Sequence, residues 1–300
     1  MTSAEVTRNR DNFCYRHPDR MSFVLCQKCL RTICPECQTQ GAVGVICPEC
    51  MKQQAAQRTA AQKKAERRWG RGSGAVVTTA GSRAPRVTYV IMAATIVISL
   101  IQMIPGPIGA AVGNALTFVG YSLTPELGAG VQPWRALTVT LVHGSFLHLF
   151  FNMLSLWMMG RILEPLLGRW RFLALYLISA LAGSVLMSFL AFTTPVVGAS
   201  GAIFGTFGAL IVITRRLGGD ITQILVIVGI NLLIGFIPGF NVAWQAHLGG
   251  LIGGLAVGAI YAATRQRSQR GLQIGLLAAL VVLLCASVFL LPVLHPLSAS

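Results

Sequence analysis

Residues 198–216 read Gly-Ala-Ser-Gly-Ala-Ile-Phe-Gly-Thr-Phe-Gly-Ala-Leu-Ile-Val-Ile-Thr-Arg-Arg. This is a short apolar helix opened by a serine among small residues and closed by two arginines. A second stretch, Ala246-His247-Leu248-Gly249-Gly250, lies near the start of another apolar run. In a bilayer a strongly polar or ionisable side chain is costly and marks function by default. Ser200 and His247 therefore read as a nucleophile and its base, provided the topology sets them at one depth.

The surrounding composition is that of a membrane protein. Of 300 residues, 54% are hydrophobic and 11% charged, with a mean hydropathy of +0.67. That charge fraction is under half the soluble average of about 25%. The charge is uneven: residues 1–86 hold 15 of the 24 Lys and Arg and seven of the eight cysteines. The net charge of +15 reads as basic flanks that orient a membrane protein and touch anionic lipid; no nucleic-acid partner is expected. Met1 to Asp11 is polar, so the first span is expected to serve as the export signal.

Seven apolar runs follow, at roughly 87–104, 147–163, 172–192, 200–214, 221–237, 244–263 and 272–291, most near the ~20 residues that span hydrocarbon. Residues 105–146 form a long, apolar, Pro- and Gly-containing connection, read as a structured loop partly in the interface. Trp134 and Arg135 suit an interfacial anchor there. With a cytoplasmic N-terminus, alternation makes the loops at 161–171, 215–220 and 264–271 cytoplasmic. They carry Arg161, Arg169, Arg171, Arg215, Arg216, Arg265, Arg267 and Arg270, against Arg135 outside. This positive-inside bias predicts a multi-pass membrane protein with its C-terminus external; the expected location is a plasma membrane, the cytoplasmic membrane of a bacterium.

That topology collects the polar groups into one layer. His148 and Asn152 lie at i and i+4 at the outer start of span two, Ser200 opens span four, and His247 lies in the first turn of span six. The chemistry that suits them is acyl transfer: Ser200 attacks, His247 takes and returns the proton, and His148, Asn152 and the Ser200 N–H stabilise the oxyanion. An acid third member is not expected. Asp220 and Glu164 fall on the cytoplasmic side, and nothing marks Glu126. Gly201 and Gly205, facing Gly250, Gly254 and Gly258, follow small-xxx-small spacing and predict close contact of spans four and six. His143 reads as an interfacial structural residue and Cys285 as a core thiol.

His148-x-x-x-Asn152, Gly198-Ala199-Ser200-Gly201 and Ala246-His247 resemble the rhomboid intramembrane serine proteases. Trp134-Arg135 matches that family's first-loop pair, and Gly160-Arg161 to Glu164 and Gly168 its second-helix end. The resemblance implies an all-α polytopic helix bundle, a six-helix core plus one C-terminal helix. It also implies a serine endopeptidase cleaving transmembrane proteins near the outer membrane surface, with no metal or cofactor in catalysis. Phe204 departs from the tyrosine found in some bacterial relatives; it keeps the ring and loses the hydroxyl. A catalytically silent rhomboid-like protein that binds membrane clients is the competing reading. A transporter would need inverted repeats, which the sequence lacks.

Cys14-x-x-His17, Cys26-x-x-Cys29, Cys34-x-x-Cys37 and Cys47-x-x-Cys50 supply eight ligands, enough for two closed, structural Zn²⁺ sites. Disulfides are the competing reading, disfavoured by a cytoplasmic placement. A module of this size needs metal to fold. The spacing resembles B-box-like fingers. In their cross-braced pattern Cys14, His17, Cys34 and Cys37 share one ion and Cys26, Cys29, Cys47 and Cys50 the other; sequential pairing is the alternative. The expected organisation is a zinc-binding module at 1–60 with a cytoplasmic protein partner, a basic then Gly/Ser-rich linker at 61–86, a protease core at 87–265, and a seventh helix and tail at 266–300.

Overall fold

A computed structural model describes residues 10–40, 45–57, 84–124, 130–235 and 242–294. The Arg71–Ser82 linker and Glu126 lie outside the described residues. The chain divides into two compact units, Met1–Arg68 and Trp69–Ser300.

The first unit is organised by its cysteines, because it has little else to bury. Cys14, Cys26, Cys34, Cys37, Cys47 and Cys50 are buried around Ile33. Strands β1 (Thr39–Gln40) and β2 (Val45–Ile46) pair antiparallel. Helix α1 (Pro48–Ala56) starts on Cys47, whose sulfur accepts the Cys50 N–H, with Pro48 at the first helical position, where its missing N–H costs nothing. Residues 24–33 fold back on themselves: Leu25 bridges Thr32, and the Ile33 and Cys26 N–H groups bond Val24 and Arg31 carbonyls. At the tip Leu30 holds a left-handed φ of 59°.

The second unit is helical: α2 (Arg86–Gln102), α3 (Pro107–Leu116), α4 (Phe146–Leu167), α5 (Arg169–Leu190), α6 (Ser200–Arg216), α7 (Thr222–Ile234), α8 (Trp244–Ala263) and α9 (Arg270–Ser287). All seven expected apolar runs are helices. Among the described residues, four helical stretches are long and apolar enough to cross a membrane: α4, α5, α8 and Arg270–Leu294. The others are shorter, α6 having 17 residues. At about 1.5 Å per residue it spans about 26 Å, short of a ~30 Å hydrocarbon layer. The expected structured loop is present between α2 and α4, containing α3.

Helices α5, α6 and α8 form the centre, and glycine decides how near they come. A Cβ on Gly250 would overlap the Gly201 carbonyl, and one on Gly254 the Gly205 carbonyl. One on Gly258 would lie 2.9 Å from the Ala209 Cα, and one on Gly183 of α5 would lie 2.8 Å from the Ala246 oxygen. The expected seam between spans four and six is thus backbone against backbone.

Polar clamps fix the other helices. Glu164, buried near the end of α4, accepts the Val87 N–H at 2.9 Å and the Thr88 N–H and hydroxyl, both at 2.8 Å. It caps the start of α2, whose own N-cap residue, Pro85, has no side-chain bond to offer. Gly160 makes room for Thr88, whose Cβ would be 2.8 Å from an added Cβ. Gly168, at φ 85°, ends α4 and starts α5 in a single residue. At the same end of α5, Arg171 donates to the Gln273 oxygen on α9 at 2.8 Å, while the Gln273 amide donates to Thr264 beyond α8 at 2.9 Å. Arg135 anchors the long loop through Thr117 O at 2.7 Å and through Gln132. Trp134 is half exposed.

Gly254→Val is expected to destabilise the chain by about 1–3 kcal/mol or more, because the seam cannot open locally. Gly229→Val and Gly275→Val, where an added Cβ meets nothing within 4 Å, are expected to stay within about 0.5 kcal/mol. Thermal melts in one detergent compare them; equal melting of all three would refute the seam.

Candidate active site and metal centres

Ser200 is the first residue of α6, and His247 lies in the first turn of α8. The glycine seam places these helix starts side by side. His247 Nε2 and Ser200 Oγ are 2.8 Å apart, a direct hydrogen bond. Phe204, one turn beyond Ser200, stacks on the imidazole at 4.1 Å between centroids and 13° between planes. Its ring therefore fixes the imidazole plane without a hydroxyl. His247 is buried, and its Nδ1 has no hydrogen-bond partner among the described residues. Glu164 is used in capping α2. Asp220 is exposed and accepts the Thr222 N–H and hydroxyl at 2.8 and 2.6 Å, bonds that hold its carboxyl below the usual range. Among the described residues, Ser200 and His247 form a hydrogen-bonded pair.

His148 and Asn152 occupy the first two turns of α4, which opens on Ser145 accepting the His148 N–H at 3.1 Å. Gly198 has φ 123°, and a Cβ there would lie 2.7 Å from His148 Cε1. The imidazole is thus seated on the backbone two residues before Ser200. Asn152 is buried; its Nδ2 donates to the His148 carbonyl at 2.8 Å, leaving a second amide hydrogen free. The four residues spread over 100 positions of sequence are brought to one region, with Asn152 one turn farther along α4 than His148.

His143 has a larger part than an interfacial reading gives it. It is fully buried. Ser99 Oγ donates to the Leu141 carbonyl at 2.9 Å and contacts His143 Nδ1, also at 2.9 Å. A serine has one hydrogen to give, so Nδ1 carries the proton and donates to Ser99. Nε2 is then an acceptor and takes the Ala199 N–H at 3.4 Å. The His143 N–H donates to Gln102 Oε1 at 3.1 Å. One side chain thereby connects α2 to the residue before Ser200. The signal in the sequence is Ser99 and Gln102, polar residues three apart at the end of an apolar span. The same segment is pinned by Gly198 N–H to Val139 O at 3.0 Å and by a two-way bridge between Phe118 and Val196.

In the first unit, Cys14, His17, Cys34 and Cys37 form one group and Cys26, Cys29, Cys47 and Cys50 a second, each with ligand atoms within 4.8 Å of one another. This is the cross-braced grouping, not the sequential one. His17 Nδ1 lies 3.8, 3.3 and 3.4 Å from the sulfurs of Cys14, Cys34 and Cys37. A tetrahedron with metal–sulfur distances of about 2.3 Å has edges of about 3.8 Å, so both groups fit a metal ion. All seven cysteines are free thiols. Burial pushes the Cys14 thiol up, but backbone N–H bonds at Cys34, Arg16 and His17 outweigh it and bring it to about 6. Cys26 is balanced the same way, at about 6. Burial, with thiols crowded alongside, pushes Cys37 up to about 11 and Cys50 to about 12. A divalent cation relieves that mutual repulsion.

A family model described as the Rhomboid domain matches residues 130–264. Rhomboid protease GluP of Bacillus subtilis (strain 168) is 37% identical over 178 residues, covering 57% of this chain and 34% of that protein. YdcA of the same organism, a rhomboid by name, is 34% identical over 160 residues, covering 50% of this chain and 77% of YdcA. RHOMBOID-like protein 5 of Arabidopsis thaliana is 40% identical over 138 residues, with 42% and 43% covered. The match thus spans about a third of GluP and under half of the Arabidopsis protein. With four membrane-capable helices, the similarity makes this a membrane protein.

Metal analysis of the purified chain is expected to give two equivalents of a divalent transition metal. A Cys14→Ser/Cys34→Ser double variant removes two ligands from one cross-braced site and is expected to retain one equivalent. Loss of both equivalents would instead indicate sequential pairing, in which each substitution damages a different site.

Proposed function

This chain belongs to the rhomboid family, and we propose that it is an intramembrane serine endopeptidase, a hydrolase of transmembrane-segment-containing proteins. The observation that carries the proposal is the 2.8 Å hydrogen bond between His247 Nε2 and Ser200 Oγ. As Ser200 Oγ attacks a peptide carbonyl, His247 Nε2 accepts its proton. The tetrahedral oxyanion is met by the free N–H groups at the start of α6, the second Asn152 amide hydrogen and the His148 imidazole. His247 then returns the proton to the leaving amine, and water repeats the sequence on the acyl-enzyme. Phe204 holds the base in plane, and His143 acts as a positioning residue for the strand of chain before the nucleophile. A silent client-binding rhomboid has no use for a Ser–His hydrogen bond, so the catalytic reading is preferred.

The two metal groups are proposed to hold structural zinc. Thiolate-rich four-ligand sets suit Zn²⁺, and each set is complete, leaving no open position for chemistry. The domain division proposed is the zinc module at 1–60, linker at 61–86, core at 87–265 and C-terminal helix and tail at 266–300. A cytoplasmic protein partner for the module and a bacterial plasma-membrane location, with the N-terminus cytoplasmic and the site near the outer surface, complete the reading.

Ser200→Ala is expected to abolish both fluorophosphonate labelling and cleavage of a transmembrane substrate, with expression unchanged. His247→Ala should cost nearly as much, and the double variant little more than either, because the two act as one unit. His148→Ala or Asn152→Ala should lower turnover by about 10²–10³. Full cleavage by Ser200→Ala would end the assignment.

Orientation is tested in a variant without native cysteines. A cysteine at exposed Thr193, beyond α5, is expected to react from outside intact cells. One at exposed Ser268, between α8 and α9, should react only after permeabilisation. The reverse pattern would turn the topology over and move the site to the inner leaflet.

A further inference from the structure

The zinc-type module carries an apolar ridge that nothing in its metal centres requires. Phe23 is 72% exposed, Leu25 49% and Leu30 70%. Phe23 and Leu25 are at i and i+2, so they share one side of the extended segment; Leu30 stands at the tip of the same turn-back. Burial does not explain these side chains, since the module's interior is Ile33 and the cysteines.

Leu30 adds an independent observation. Its φ of 59° is the left-handed conformation, which a bulky residue adopts at a cost and glycine adopts freely. The backbone bond that needs this geometry, Leu30 N–H to Cys26 O at 2.8 Å, would be as good with glycine. A leucine is kept where glycine would relieve strain, and its side chain is left in the open. Strain of this kind at an exposed residue points to use.

Within the turn-back itself the charged residues are basic. From Arg20 to Pro35 the sequence has Arg20, Lys28 and Arg31 and no acid. Arg20 and Arg31 are paired with Glu36 and Glu49. Lys28, exposed between Cys26 and Leu30, is in no ion pair among the described residues. The chain from Arg58 to Arg86 adds eight Lys or Arg against Glu66 alone. That segment leads into the first apolar helix and reaches at most about 100 Å when fully extended. The module is therefore confined near a bilayer, on a basic tether drawn to anionic headgroups.

We propose that this ridge docks on the bilayer itself, inserting Phe23, Leu25 and Leu30 into an anionic lipid surface with Lys28 at headgroup level. For this face of the module the partner is a lipid surface; a cytoplasmic protein would use another face. Exposed Phe and Leu beside a free cation are the elements of interfacial binding, and the tether supplies the membrane as a permanent neighbour.

The test is backbone hydrogen exchange over residues 20–33 of the full chain. It is compared in nanodiscs of phosphatidylcholine alone and of phosphatidylcholine with phosphatidylglycerol. Exchange is expected to be about ten-fold slower in the anionic discs, the protection lost when a surface-held segment is released. Leu30→Gly is the decisive variant, because it relieves backbone strain while deleting the side chain. It should retain both metal equivalents and lose the lipid-dependent protection; Phe23→Ser should lose it as well. Unchanged protection in Leu30→Gly, or equal exchange in the two lipid mixtures, would overturn the proposal. So would protection that appears in detergent and rises with protein concentration, since the ridge would then face a second copy of the chain.

Discussion

Helices α6 and α8 touch through their backbones, and the meeting of Ser200 with His247 follows from that contact. Gly250 and Gly254 leave no space for a side chain against the carbonyls of Gly201 and Gly205. Apolar side chains gain nothing from each other that lipid tails would not supply, so close packing must hold membrane helices together. The same closeness sets the reach between Ser200 and His247. A Cβ at either glycine would push apart two helix starts whose side chains must meet within 2.8 Å. Helix packing and the Ser200–His247 contact thus use one seam.

Around the seam, buried polar groups do what apolar packing cannot: they fix direction and depth. Glu164 holds α2 by the Val87 and Thr88 N–H groups of its first turn. His143 holds the other end of α2 through Ser99 and Gln102 and, through Ala199, the chain before Ser200. Each is satisfied, as burial in a medium without water requires. Not every buried polar atom is: the hydroxyls of Thr95, Thr138, Tyr176 and Ser179 lack a partner among the described residues. His247 Nδ1 and Asn152 Oδ1 have no partner among the described residues. Among the described residues, what lies against the imidazole plane is the face of Phe204. Contact with an aromatic ring restrains the plane but accepts no proton.

Much of this was legible in the sequence because a bilayer allows few solutions. Apolar runs became helices, Ser200 and His247 stood out as polar groups in them, and the spacing of Gly201, Gly205, Gly250 and Gly254 predicted which helices meet. What was not legible depends on partners far apart in the chain. His143 looked interfacial because Ser99, Gln102 and Ala199 are 41 residues or more away. Glu164 matched a pattern at the end of α4, but its role needed Val87 and Thr88 beside it. The metal pairing was open because Cys-x-x-Cys spacing serves cross-braced and sequential sites equally; only the fold of 14–50 brings Cys34 to His17.

The carboxylate clamp at the start of α2 has a consequence for biosynthesis. Val87 and Thr88 lead the first apolar helix to be made, yet Glu164 comes 77 and 76 residues later. At about 5–20 residues per second of translation, that delay is about 4–15 s. Throughout it, the leading N–H groups of α2 rely on water and headgroups, which holds that end at the membrane surface. The clamp therefore cannot close before α4 has been synthesised almost to its last turn, and a chain halted between residues 102 and 164 lacks the carboxylate that caps α2.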